Sequence, residues 1–431
     1  MAATTDVIEM FKYTYATDRM LYLAALEVVI WRILSRVKKR VAGRGQWILP
    51  IQTKNAGVFQ GHTEGGAITT RRSQPDMSEA TFALQEFHGV WDISWKMMRD
   101  SQRDEDSFAR GVDFMDKSQR RRVLRLLNAD FCGFGRGELG ILPATDDQVG
   151  VTVRALPFAD LGLLVDLMDN SDDNTILGPD GTAVTGLDVP NRAITTGTAA
   201  SGTAAGDYFT VADSVSSAAS LHMLGLLAWA SNANPAAVVG NIGGISRGTG
   251  TEWWGATILS NSGTNRPFTE DLGLEALDTC VERGGVTFSD WVSNRRLIRR
   301  YHESLRSDTF FALGAVDAFG NKVGVGRSEE SYKTGENNNG ETPYQLSNIP
   351  WRAEMFFDAS TIVGLNREHI FLGYDGNEVP RPISEVFDDM IPFFNLPTTP
   401  AAKFEVLSYW EGEMLGDNPP SMVAIQDVAE S

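Results

Sequence analysis

Gln46-Trp-Ile-Leu-Pro-Ile-Gln-Thr53 places Trp47, Leu49, Ile51 and Thr53 on alternate positions, the period of a strand with one apolar face. A second alternating run carries Phe82 and Leu84, then Trp91, Ile93 and Trp95. Between the two lie Gly57, Gly61, Gly65, Gly66, Arg71, Arg72 and Pro75, the composition of a turn-rich tip. The pattern predicts one long hairpin over residues 46–97. A lone two-stranded ribbon is marginal in water, and nothing next to it in sequence looks able to cover it. The expectation is an arm that packs on another copy of the same protein.

The chain has 431 residues, enough for two or three domains and a sizeable core. Its 38 Lys and Arg against 56 Asp and Glu leave a formal charge of −18. That argues against a surface that binds nucleic acid everywhere and suits one that faces DNA without sticking to it. Cys132 and Cys280 show no metal spacing and read as buried thiols in a reducing compartment. The start lacks the basic segment of a signal peptide, and the most apolar stretch, Met20 to Leu34, is interrupted by Glu27 and Arg32 and too short for a bilayer. The expectation is a protein made and kept in a cytoplasm, with no membrane partner.

Residues 1–45 read as an N-terminal arm with an amphipathic helix around Leu21 to Leu34, whose far end is basic: Arg36, Lys38, Lys39 and Arg40. These cations fit docking on an acidic neighbour, contact with nucleic acid, or a favourable helix C-terminus. Residues 98–150 carry a helical apolar stripe from Asp100 to Phe131, with Arg120, Arg121 and Arg122 in a second basic cluster. Cys-Gly-Phe-Gly-Arg-Gly ends that helix. Residues 151–214 hold short, evenly spaced strands, a small β module. Residues 215–395 open with a short buried helix at Leu221 to Trp229. They continue with a helix capped by Thr269, a strand at Val286 to Phe288 and a helix with Leu297, Ile298, Tyr301 and Leu305 on one face. Thr309 to Val325 reads as a hairpin, and Trp351 to Phe357 and His369 to Leu372 as strands. Residues 396–431 give a strand, Phe404 to Tyr409, and an acidic tail expected to fray.

Motifs for chemistry are poorly supported. Gly135-Arg-Gly-Glu-Leu-Gly140 has the dinucleotide spacing, but a helix precedes it and Ile141-Leu-Pro143 follows, the reverse of what a pyrophosphate needs. Gly244-Ile-Ser246-Arg-Gly248 matches a nucleophile elbow, with His302 and His369 downstream. Thr-Gly-Thr is a poor helix start after Ser246, yet a serine hydrolase stays open as a reading of another class. Five histidines lack metal-ligand spacing, and Asp169, Asp172, Asp173 and Asp180 fit turns better than a calcium loop. No cofactor and no metal are expected, and the chain reads as a non-enzyme.

The order of parts resembles a family. An arm, a glycine-tipped hairpin, a long helix and then Leu127-Asn-Ala-Asp-Phe-Cys-Gly-Phe-Gly-Arg-Gly-Glu-Leu-Gly-Ile-Leu142 are similar to the major capsid proteins of tailed bacteriophages, the Hong-Kong-97-type fold. Phe158 to Met168 and Ala205-Gly-Asp-Tyr-Phe209 resemble the β insertion of some members. Phe268 to Gly285 resembles the opening helix and strand of the axial domain, and Thr361 to His369 a turn late in it.

The resemblance implies an α+β fold with N-terminal arm, extended loop, spine helix, peripheral and axial domains and a small β-rich insertion. It implies a virion shell protein that self-assembles as pentamers and hexamers around double-stranded DNA in the host bacterial cytoplasm. Portal, scaffolding and decoration proteins would be partners. The extended loop would reach a neighbour through Trp47, Leu49, Ile51, Lys54, Phe59, Arg71, Arg72, Trp91 and Trp95. The basic clusters would meet other subunits or DNA. Some members fuse a scaffolding region ahead of the arm, for which there is no room here, and some cross-link a loop lysine, for which Lys54 is the candidate. A cellular nanocompartment of the same fold, an encapsulin-like shell, is the nearest alternative.

Overall fold

The computed structural model describes residues 30, 33–38, 46–54, 76–94, 126–142, 151–153, 163–169, 175–178, 180–188, 193–196, 203–204, 207–212, 215–216, 219–220, 222–231, 241–247, 251–312, 344–346, 349–354, 356–358, 360–375, 381–382 and 403–429. The helix expected before residue 30, most of the expected spine helix and the expected hairpin tip fall outside them.

Strand β1, Ser35–Lys38, follows helical residues Ile30 and Ile33, so Arg36 and Lys38 stand on a strand and not at a helix end. The alternating run gives β2, Gln46–Lys54, and its return gives two strands, β3, Asp76–Ala83, and β4, Gln85–Ser94. β3 pairs antiparallel with β2 as a two-stranded ribbon. β4 leaves it for another sheet. The expected single return strand is therefore two, divided at the buried Leu84.

Helical residues 126–132 end in the glycine-rich segment that enters a closed barrel. The barrel comprises β5, Gly140–Ile141, β6, Val151–Val153, β7, Leu164–Met168, β8, Thr182–Asp188, β9, Ala193–Thr196, and β10, Tyr208–Val211, in the order β10-β5-β6-β9-β8-β7. The β-rich module thus recruits a strand from before residue 151. Asp166 accepts from the Gly181 N–H at 2.8 Å, so this aspartate secures a turn. Two short ladders follow, β11, Val215–Ser216, with β12, Ala219–Ser220, and β13, Asn241–Ile242, with β14, Ile245–Ser246. Between them lies the buried helix α1, Leu226–Ala230.

The C-terminal half builds two sheets. The six-stranded one contains β15, Thr257–Leu259, β16, Asp290–Ser293, β17, Tyr344–Leu346, β18, Ile349–Ala353, β19, Ile362–Leu365, and β23, Val423–Ile425, in the order β15-β23-β19-β16-β18-β17. The five-stranded one contains β1, β4, β20, Ile370–Asp375, β21, Arg381–Pro382, and the long β22, Lys403–Gly416. Helices α2, Glu270–Gly284, and α3, Arg295–Ala312, cover one face of the six-stranded sheet. Thr269 caps α2 by accepting from the Leu272 N–H at 3.3 Å, and Glu270 and Asp271 complement its N-terminus. Phe268, Leu272, Ala276, Cys280, Leu297, Ile298 and Tyr301 pack there on Trp291, Trp351, Ile362, Val423 and Ile425. The opposite face, with Val292, Val363 and Ala424, joins a larger core shared with α1, the barrel and the five-stranded sheet.

Three sequence expectations change here. The strand expected at Val286 to Phe288 begins at Asp290, because Val286 is exposed on the approach. Thr309 to Ala312 extend α3 instead of opening a hairpin. The tail does not fray: Pro419–Ser421 form a buried 3-10 turn, and β23 pairs parallel with β15 and antiparallel with β19. The Asp427 carboxylate then takes N–H donors from Asn261 at 2.7 Å and Gly263 at 3.1 Å and the Ser260 hydroxyl at 2.9 Å. Partial burial raises its pKa; these donors and Arg266 outweigh that and leave it lowered.

Ile425, fully buried between β15 and β19, is thus a core residue. Ile425→Ala is expected to cost about 2–5 kcal/mol in denaturant unfolding. An unchanged midpoint would return the tail to the status of a loose end.

Candidate assembly interface

The extended loop needs a root, and the root lies on its own chain. Trp47 sits on Phe371 with ring centroids 6.3 Å apart, and Leu49 and Ile51 join the same core half-buried. Gly373 of β20 makes room for this: a Cβ there would lie 3.2 Å from the Trp47 ring. On β3, Phe82 packs on Trp229 at 5.7 Å. The Thr81 N–H donates to the Gly243 carbonyl at 2.8 Å. Gly243 turns the β13–β14 hairpin at φ +63, and a Cβ would lie 2.8 Å from Phe82, so only glycine suits both the turn and the contact. Burying Phe82 contributes roughly 1.5–3 kcal/mol to holding the ribbon. The expectation that the hairpin must pack on another copy is corrected for its apolar base, which is covered within the chain by segments distant in sequence: β20, α1 and the β13–β14 hairpin.

Behind the root lies an aromatic stack. Trp229 meets Trp254 edge-on at 6.0 Å and donates its indole N–H to the Met414 carbonyl at 3.2 Å. Trp254 donates to the Ile242 carbonyl at 3.0 Å, and Phe87 of β4 packs on Trp410 of β22 at 5.8 Å. Each indole that donates this way is satisfied where it is buried. β4 runs antiparallel along β22 from Gln85↔Gly412 to Ser94↔Lys403, so the segment leaving the ribbon is tied into the body.

Buried charges hold the parts in register. Arg247 donates to the carbonyls of Ala228 at 2.7 Å, Trp229 at 3.3 Å and Ser231, where α1 ends. Burial lowers its pKa to about 9. In the Gly244–Gly248 motif it is thus the arginine that has a structural task. Ser246 ends a hairpin strand paired with Asn241, and no helix starts at it. In the other glycine motif, Arg136 pairs with Glu138 and lies 4.3 Å over the Tyr208 ring, all three buried. His222 bridges Asp130 at 3.0 Å and Thr210 at 3.3 Å, tying helical residues 126–132 to the barrel. His369 pairs with Asp417 at 2.7 Å. Asp290 receives Arg352 at 2.9 Å and Arg367 in a fork.

The predicted interface residues distribute as follows. Trp47, Leu49 and Ile51 are on their own core. Lys54 closes β2 opposite Asp76, and Trp91 pairs with Val406 along the β4–β22 ladder. Arg36 and Lys38 are exposed on β1, opposite Leu372 and Tyr374. Phe59, Arg71, Arg72, Trp95, Lys39, Arg40, Arg120, Arg121 and Arg122 lie outside the described residues. Sequence reasoning missed Gly243 and Gly373, whose only signal is a glycine beside an alternating strand. It also missed Glu413, one of three glutamates in its strand and not marked out from the other two by the sequence. Among the described residues no cluster of three or more His, Cys, Asp or Glu is placed to hold a metal, and no helix is long and apolar enough to cross a membrane.

Neither a protein-family model nor a curated protein matches the chain. Solved structures do. The Cyanophage A-1(L) capsid asymmetric unit aligns with a TM-score of 0.53 at 13% identity, over 96% of this chain and 96% of that one. Gordonia phage Cozz aligns at 0.44 and 12%, over 96% and 90%, and the holo-SrpI encapsulin complex from Synechococcus elongatus PCC 7942 at 0.42 and 9%, over 98% and 96%. The fold is the α+β Hong-Kong-97 type of phage major capsid proteins.

Glu413 supplies a pH test of the root. Its carboxylate accepts from the Leu224 N–H at 2.7 Å and the Met414 N–H at 3.0 Å. Burial still pushes its pKa well above the ordinary value, the two N–H groups oppose this, and Asp130 adds to it. A carboxyl raised in the folded state contributes most below its unfolded pKa, and that contribution is lost as pH rises from there toward the folded pKa. Glu413→Gln keeps an acceptor without the charge. Its thermal midpoint relative to the natural chain is expected to rise between pH 5 and pH 8. A difference independent of pH would show that Glu413 titrates normally.

Proposed function

We propose that this chain is the major capsid protein of a tailed double-stranded DNA phage, closing as pentamers and hexamers into an icosahedral shell around the genome. The observation that carries the reading is the alignment with the cyanophage capsid over 96% of both chains. The work is assembly, not catalysis. The two acid–histidine contacts, Asp130–His222 and His369–Asp417, join structural elements, and Ser246 lacks the strand-to-helix setting of a nucleophile. A closed shell needs heterologous contacts that close on themselves. A ribbon rooted on its own core and continuing through residues 55–75 is suited to reach a neighbour. The −18 charge limits adhesion to packed DNA. Portal, scaffolding and decoration proteins would complete the particle, assembled in the bacterial cytoplasm.

Deleting residues 57–75 is the test. The natural chain is expected to sediment as closed particles, and particles from infected cells to hold DNA. The deletion variant should keep the natural thermal midpoint, because Trp47 and Phe82 stay seated, yet form no shells. Normal shells from the variant would remove the loop from assembly. A natural chain that stays monomeric throughout would overturn the capsid reading, and shells holding an enzyme in place of DNA would make it a nanocompartment.

A further inference from the structure

Helix α2 turns one stripe outward: Asp271, Leu274, Glu275, Asp278, Val281 and Glu282 are all exposed, at the spacing of one helix face. Leu274 and Val281 each keep 43% of their surface in solvent. Helix α3 turns out Arg295, Arg299 and Arg300 within its first two turns. Apart from Asp271, which complements the α2 N-terminus, the charges of these stripes do little for their own helices. Cations at a helix N-terminus oppose the macrodipole, and Glu282 opposes it at the C-terminal end of α2. Asp271 with Glu275, Asp278 with Glu282, and Arg295 with Arg299 are like charges four residues apart, which repel. Glu303 reaches Arg299 at 3.4 Å and Arg300 at 3.8 Å, but all three are about half exposed or more, and such pairs contribute little. Among the described residues no ion pair joins the acids of the α2 stripe to the arginines of α3. The helices are nevertheless fixed relative to one another, since both pack on the same sheet face and Phe268, just before α2, meets Tyr301 of α3 at 5.4 Å.

We infer that the α2 stripe of one copy docks on the arginine stripe of α3 in the next copy, head to tail. The inference rests on the shell-forming reading and names one of its contacts. Every copy carries both halves, so the contact is heterologous and repeats around a ring. Leu274 and Val281 give it an apolar centre within a charged rim, the usual anatomy of a protein interface. Duplex DNA would accept the arginines but repel the acids and gain nothing from the two apolar side chains, so a second copy fits both surfaces and nucleic acid only one.

Charge exchange in the full chain decides it. Glu275→Arg with Asp278→Arg, and separately Arg295→Glu with Arg299→Glu, should each lower particle yield tenfold or more at an unchanged thermal midpoint. The fourfold variant should restore particles. If that variant fails to fold, co-expression of the two reversed chains should restore six-membered rings, in which the two alternate and each supplies what the other lacks, and not five-membered rings, which cannot alternate. Natural yields from both reversed variants, or no restoration from folded protein, would overturn the contact. So would arginine-reversed particles of natural yield that have lost their nucleic acid, which would give that face to DNA. A natural chain that forms no particle removes the shell reading itself, so the two failures are distinguishable.

Discussion

A two-stranded ribbon has no second layer of its own, and everything about this chain's loop follows from where it finds one. β2 and β3 bury one face and leave the other, with Ile48, Pro50 and Gln52, in solvent. The buried face rests on Phe371, Trp229 and the glycines that let Trp47 and Phe82 approach them. The loop is therefore held at its base before any neighbour arrives. If the chain assembles as proposed, that lowers the ordering cost, since a preorganised element loses less freedom on binding than a free segment. On the proposed reading two tasks are separated: the base packs on its own subunit, and residues beyond Lys54 would make the contact with a neighbour.

The interior that supports this base contains buried charged groups that have partners. Arg247 closes the carbonyl end of α1, Asp290 gathers two arginines, and His222 links the helical segment at residues 126–132 to the barrel. Such groups cost much when one partner is removed and contribute little net stability when all are present. Their directional contacts tie the barrel, sheets and helices to one another. On the proposed reading, a subunit of a closed shell would have to hold its contact surfaces at fixed angles, and such ties would serve that.

Local signals were legible where the chemistry is local. Thr269 caps its helix as its sequence setting implies, the short alternating runs become barrel strands, and the apolar run ending at Trp229 contains a buried helix. The return strand carried a readable warning. Its apolar positions are even through Phe82 and Leu84 and odd at Trp91 and Ile93, and a change of parity means a change of face. That is where β3 ends and β4 begins. The tail was not readable. Val423-Ala-Ile425 is too short for a period, and its parallel partner Thr257–Leu259 lies far away in sequence. β1 failed for the same reason, since four residues pair with Phe371 to Tyr374 across most of the chain. Likewise, no pattern in sequence marks Gly373 as the seat of Trp47 or Glu413 as the acceptor for Leu224.

On the proposed reading the loop is rooted on its own subunit and reaches a neighbour only beyond that root. A cryo-electron microscopy reconstruction of assembled particles, at a resolution that traces side chains, tests it most directly. Trp47 should lie on Phe371 and Phe82 on Trp229 within one subunit, with residues 55–75 across another. Density connecting the ribbon base of one subunit to the Phe371 and Trp229 of the next would contradict it. The loop would then be exchanged between subunits from its first strand.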